Sequence, residues 1–148
     1  MVFAEFEYDE FPIVTVNFYE KPCDKEEFTE YVNEFTALLS CASENNSKCC
    51  VIFNCSELKE KIPLSYAKVK AEYLQKNKNL LENGLSASCV IGPSWIGNIL
   101  DFIFTIHPPT KPYKHSTDID IGRNFIEVYK TEPSVIIDKE MIIDVLDG

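Results

Sequence analysis

Apolar and polar residues alternate at the start of the chain. From Val2 to Tyr8 every second residue is apolar, and Glu5 and Glu7 lie between them. This period of two predicts a half-buried strand. The next run, residues 11–19, is rich in β-branched and aromatic side chains, which are typical of strands. Because only a short polar segment separates the two runs, we predict an N-terminal β-hairpin.

The period then changes to that of a helix. Asp24 can cap a helix start, and Glu27 three residues later can complete a capping box. Apolar residues follow at helical spacing from Phe28 to Leu39, opposite a face of acidic residues. We therefore predict a first helix that ends in the polar loop at residues 43–48.

Two short apolar runs, residues 49–54 and 86–92, have the character of strands buried on both faces, as in parallel sheets. Between them, Pro63 begins a second predicted helix that runs to about Asn83 and ends at Gly84. The apolar side chains of this helix and its lysines, Lys70 among them, are expected on opposite faces.

The last third of the chain contains a strongly apolar helix, a short strand and a final helix. Pro93-Ser94 opens the apolar helix at Trp95–Ile106, and residues 113–116 form an edge strand. Eight large apolar residues in this helix exceed one buried stripe, so it is either covered on two sides or faces a partner or an apolar ligand. Thr117 with Asp120 is the predicted capping box of the final helix.

These elements predict one α/β domain over residues 1–132. Its sheet is mixed, with an antiparallel N-terminal hairpin followed by a βαβαβα succession of parallel strands and crossover helices. Residues 133–148 form an acidic-hydrophobic tail, expected either to add a strand at a sheet edge or to remain mobile.

Charge and composition narrow the classes of function. The chain has 148 residues, a net charge of −10 and a single arginine, Arg123. Nucleic-acid binders need clustered Lys and Arg, so no nucleic-acid partner is expected. The sequence lacks a signal-peptide start and a run of about 20 apolar residues, and we therefore expect a cytoplasmic protein without an integral membrane segment.

The cysteines and histidines offer little chemistry. Six cysteines occur without a CxxC pair, and most lie in or beside apolar runs, which is typical of free structural thiols. We expect no metal and no cofactor. A hydrolase that uses His107 or His115 as its base is a third hypothesis, behind the two described below.

Three stretches of the chain carry a resemblance to a known family. They are the hairpin followed by DKEEF, residues 49–74 (CCVIFNCSELKEKIPLSYAKVKAEYL), and residues 86–126 with their apolar helix, short strand and closing helix. Together they resemble the STAS and SpoIIAA-like group of anti-sigma-factor antagonists. The antagonists carry Asp-Ser-Ser-Gly before the helix where this chain has Pro63-Leu64-Ser65-Tyr66. The resemblance makes Ser65 the positional match to their phosphorylated serine. A related sheet occurs in CRAL-TRIO lipid-binding domains.

The resemblance implies a non-enzymatic module that regulates another protein through contact, switched by phosphorylation of Ser65. A homodimer through the apolar helix or the tail is also open. The alternative is a binding domain for a nucleotide or a lipid-like molecule. Open α/β sheets bind ligands beyond the carboxyl ends of their strands, and helix N-termini accept anions. Ser56, Gly92, Ser94 and Trp95 are the candidate residues for this ligand or partner surface.

Overall fold

The computed structural model describes residues 3–19, 24–58 and 63–148. The described strands form one sheet in the order β1-β2-β3-β4-β5. They are β1 (Ala4–Glu7), β2 (Ile13–Phe18), β3 (Cys49–Asn54), β4 (Leu85–Ile91) and β5 (Tyr113–Ser116). β1 pairs with β2 antiparallel, and all other pairs are parallel. The mixed sheet with its N-terminal hairpin is therefore confirmed.

The described part of the chain contains six helices. They are α1 (Lys25–Glu44), α2 (Leu64–Lys76), α3 (Lys78–Gly84), α4 (Ser94–Ile106), α5 (Ile119–Tyr129) and α6 (Lys139–Asp147). The N-cap predicted for the first helix is confirmed, because the Asp24 carboxylate accepts a hydrogen bond of 2.8 Å from the backbone N–H of Glu27. In the described residues the Glu27 side chain does not return the bond that completes a capping box. None of these helices is long and apolar enough to cross a membrane.

The helices divide unequally between the two faces of the sheet. Successive side chains of a strand point to opposite faces, so Val14 and Val51 pack on one side and Ile13 and Ile52 on the other. The first side, here called the α1 face, packs against α1, α2 and α4. The second side, the α5 face, packs against α5.

The single helix predicted from Pro63 to about Asn83 is wrong. Asn77 separates α2 from α3, and both its backbone N–H and its side-chain amide donate to the carbonyl of Tyr73. An asparagine that bonds its own preceding turn competes with the helical ladder, and this explains the break. Gly84 does not terminate the helix from outside but is the last residue of α3. A Cβ there would lie 2.7 Å from the carbonyl oxygen of Leu39 in α1.

The cap predicted for the final helix is also displaced by one residue. Asp118 rather than Thr117 is the N-cap of α5, and its carboxylate accepts from the backbone N–H of Asp120 at 2.8 Å. Asp120 is therefore a donor to the cap and not the reciprocal acceptor of a capping box.

The tail is neither an added strand nor a mobile segment. Asp138 caps α6 by accepting from the backbone N–H of Met141 at 3.0 Å, and α6 packs against α1. Ile137 and Ile142 are fully buried. The Val135 N–H also donates to the hydroxyl of Ser47 at 2.8 Å. The tail contributes to the hydrophobic core, and the domain boundary at residue 133 stays a prediction.

Candidate functional site

An apolar cavity of about 180 Å³ lies between the α1 face of the sheet and the helices that cover it. We call it the Lys70 cavity. Its wall is almost entirely carbon. The main contributors are Tyr31 and Phe35 of α1, Tyr66, Ala67, Lys70 and Leu74 of α2, Ile96, Ile99, Leu100 and Ile103 of α4, and Phe53, Val90 and Tyr113 of the sheet. Tyr66, Ile99 and Leu100 are only half-buried, so the cavity reaches the surface along α2 and α4.

Lys70 brings the positive charge of this cavity. Its Nζ is buried, and within residues 3–19, 24–58 and 63–148 no hydrogen-bond acceptor reaches it. Lysines usually extend their ammonium group to water, and a buried charge normally has a partner. Burial lowers the pKa of Lys70 to about 7, because the charged form is stripped of water. Its environment is therefore atypical of a structural lysine.

Four aromatic rings surround the Nζ of Lys70. Its distances to the ring centroids are 4.1 Å for Phe35, 4.8 Å for Tyr31, 5.3 Å for Tyr73 and 5.7 Å for Phe53. Ring faces carry partial negative charge and attract a cation within about 6 Å. The Tyr73 hydroxyl is 2.6 Å from the hydroxyl of Thr36, which ties α2 to α1 and holds one wall of this cage. The ring faces attract the ammonium group, but they supply no full negative charge to pair with it.

The other titratable side chains that line the described cavity wall supply no anion at neutral pH. Burial raises the pKa of the Tyr31 hydroxyl well above its usual value and raises that of the Cys55 thiol to about 12. Burial also raises the pKa values of Tyr73 and Tyr113. These side chains stay neutral, so the described part of the cavity wall leaves the charge on Lys70 uncompensated.

Lys70 lies on the packed face of α2 and not on the solvent face that the sequence predicts. In α2 the buried residues are Ala67 and Ala71, and the apolar side chain of Val69 is 49% exposed. Lys70 is four residues after Tyr66 and three before Tyr73, and residues at these spacings share a helix face. The sequence signal for this placement is that Lys70 shares a helix face with aromatic residues and alanines.

The predicted strand-end residues lie beside the cavity rather than in it. Ser56 is exposed after β3, where its hydroxyl and backbone N–H both donate to the Asn54 side chain. Gly92 is buried after β4, and a Cβ there would lie 3.2 Å from both Cys55 and Ile96, which line the cavity. Ser94 is the exposed first residue of α4. The ends of β3 and β4 therefore meet, as expected, but they form the wall of the cavity.

Ser65 and Trp95 are also outside the cavity. Ser65 is the exposed second residue of α2, and the preceding residues 59–62 lie outside the described part. Trp95 is half-buried against the main hydrophobic cluster. In its helix, α4, Ile96 and Ile103 are buried, and both line the cavity together with Ile99 and Leu100.

The histidines have hydrogen-bond partners typical of structural residues. The Nδ1 of His107 is 3.0 Å from the side-chain oxygen of Gln75, and burial lowers the pKa of this buried imidazole. The Nε2 of His115 is 3.2 Å from the carbonyl oxygen of Gly92. Across the described ranges, neither histidine is hydrogen-bonded to a hydroxyl or thiol nucleophile.

The cysteines of the described segments are free and buried. They are Cys41, Cys49, Cys50, Cys55 and Cys89. Burial raises the pKa of each thiol, so none is an activated thiolate. Cys23 lies outside the described residues. In the described ranges no three His, Cys, Asp or Glu side chains are grouped to hold a metal ion.

Comparison with known proteins finds a structural neighbour and no sequence relative. No family model matches the chain, and no curated protein matches it. A solved structure of an uncharacterised DUF3478-family protein from Shewanella loihica PV-4, described as having a SpoIIAA-like fold, superposes with a TM-score of 0.56 at 11% sequence identity. The match covers 83% of this chain and 91% of the neighbour. This chain has a SpoIIAA-like fold. At such low identity the likeness extends to the fold and not to a function.

Proposed function

We propose that this protein binds a small, predominantly apolar molecule in the Lys70 cavity. The observation that carries the proposal is an apolar cavity of about 180 Å³ with a buried, unpaired amine in the described structure. Protein interiors are normally packed as densely as organic crystals. An engineered apolar cavity of about 150 Å³ stays dry and binds benzene, so this volume suits a ring with a few additional atoms.

A nucleotide at the strand ends has weaker support. Phosphates need several backbone N–H groups or basic side chains in one place. The backbone N–H of Gly92 already donates to the carbonyl of Ser116 at 3.1 Å, and Gly92 is covered by Cys55 and Ile96. Arg123 pairs with Glu10 elsewhere on the molecule. These contacts favour the lipid-like form of the ligand hypothesis over the nucleotide form.

A cavity-filling variant tests the proposal. Ala67 lines the cavity, so Ala67→Leu should occupy it, whereas Val69→Leu alters an exposed position of the same helix. Small aromatic probes such as indole and 2-phenylethanol should raise the unfolding temperature of the wild type and of Val69→Leu, because ligands of the folded state stabilise it. Ala67→Leu should show no such rise. An equal rise in all three proteins, or in none, would contradict the proposal.

A regulatory protein-interaction module is the second candidate. The side chains of Leu64 and Val69 are 60% and 49% exposed near Ser65, leaving apolar surface at the start of α2. A phosphate on Ser65 would add close to two negative charges there and disfavour an apolar partner. The expected result is a protein that binds Ser65→Ala and not Ser65→Glu in pull-downs from native cells. Intact-mass analysis without phosphate at Ser65 would count against this switch.

A further inference from the structure

Among residues 3–19, 24–58 and 63–148, no side chain or backbone group is the partner that the buried ammonium group of Lys70 requires. Burying an isolated charge costs far more than the ring faces of Tyr31, Phe35 and Tyr73 return. The groups that face Lys70 from α1, α2 and the sheet are phenols, the Cys55 thiol and the Ser88 hydroxyl, and the α4 side chains in the cavity wall are apolar. Asp101, the carboxylate of α4, is exposed and does not line the cavity. A ligand is therefore the natural source of the missing negative charge.

We infer that the cavity takes a small monocarboxylate, with the apolar body among the aromatic side chains and the carboxylate paired with the Nζ of Lys70. This inference rests on the proposed function and adds the chemical class of the ligand. Because Lys70 is the single basic side chain of the described cavity wall, we expect a ligand with one negative charge. A phosphate dianion would bring a second charge, and no second basic side chain lines the described cavity. A neutral ligand would leave the buried amine of Lys70 without a negatively charged partner.

The size of the cavity limits the body of the ligand. A volume of about 180 Å³ accommodates roughly an aromatic ring and a short side chain, judged from the benzene-sized engineered cavity. Phenylacetate, benzoate and hexanoate are suitable probes, and 2-phenylethanol is a neutral counterpart of phenylacetate. Long-chain lipids would exceed the enclosed space.

Proton uptake on binding is the specific signature of this arrangement. Free Lys70, with a pKa of about 7, is largely neutral at pH 8. A carboxylate at hydrogen-bond distance favours the charged form and raises the pKa. Binding of phenylacetate at pH 8 should therefore take up close to one proton, and binding at pH 6 should take up almost none. 2-Phenylethanol should take up none at either pH.

Isothermal titration calorimetry in two buffers of different ionisation enthalpy measures this uptake directly. At pH 7 the wild type should bind phenylacetate about tenfold more tightly than 2-phenylethanol, because hydrogen bonds to charged groups contribute more. Lys70→Met should lose that preference and the proton uptake, whereas Lys68→Met, an exposed lysine of the same helix, should keep both.

The outcomes separate the inference from the proposed function. If neutral probes bind and all three acids fail, or if the acids bind wild type at pH 8 without proton uptake, the carboxylate inference is wrong and the apolar site stands. If neither acids nor neutral probes bind, both are wrong. The proton measurement uses wild-type protein, so it decides the inference even if Lys70→Met does not fold.

Discussion

The two faces of the sheet are packed in opposite ways. On the α5 face one helix lies so close to the sheet that a Cβ at Gly122 would clash with the Cδ1 of Ile91, which would have to shift, and would lie 3.2 Å from the sulfur of Cys89. Ile126 from the same helix is fully buried. On the α1 face, three helices and the sheet enclose a cavity and a charged side chain. The comparison shows closer packing at α5 than at the Lys70 cavity, the space that we propose a ligand fills.

Matched isoleucine truncations on the two faces provide the largest expected difference. Ile126→Ala should lower the free energy of unfolding by about 2–5 kcal/mol, because it opens a void in dense packing. Ile103 is also buried but lines the cavity, where it has fewer partner atoms to lose. Ile103→Ala should therefore cost less than about 2 kcal/mol. Urea denaturation of both variants measures these losses of unfolding free energy. Equal losses would contradict the difference in packing between the two faces.

The strands could be predicted because their signals are local. Residues 49–54 form an apolar run closed by polar residues, and the predicted strand matches β3 in full. The N-terminal hairpin and β5 follow equally local patterns. The helix break at Asn77 lacks a proline or glycine to mark it. The apolar triplets of the tail, residues 135–137 and 141–143, suit a strand as well as a helix, so they do not predict α6. The cap of α6 by Asp138 was the stronger sign.

The candidate site was much harder to predict from sequence. A cavity forms where the side chains of α1, α2, α4 and the sheet together do not fill the space between them. The sequence of one segment does not show this. The sequence predicts that Lys70 faces solvent, because lysine side chains nearly always extend their ammonium group to water. Its burial depends on how α2 is rotated against α1 and the sheet, which only the tertiary structure fixes. The predicted residues Ser56 and Gly92 came close because strand ends converge in this topology.

The stability of Lys70→Met as a function of pH tests the central claim most directly, namely that Lys70 is an uncompensated charge kept for a ligand. The pKa of Lys70 falls from 10.5 to about 7 on folding. Between these values the unfolded chain binds more protons than the folded protein, so wild-type stability should rise with pH by at most about 1.4 kcal/mol per unit.

Methionine removes the charge at similar size, and therefore Lys70→Met should be more stable than wild type in the absence of ligand. The advantage should be greatest below pH 7 and should shrink from pH 7 towards 10.5, while Lys68→Met follows the wild type. Unfolding free energies of the three proteins at pH 6, 8 and 9.5 provide the measurement. A Lys70→Met variant that is less stable than wild type at every pH would show that Lys70 supports the fold, and would contradict the account.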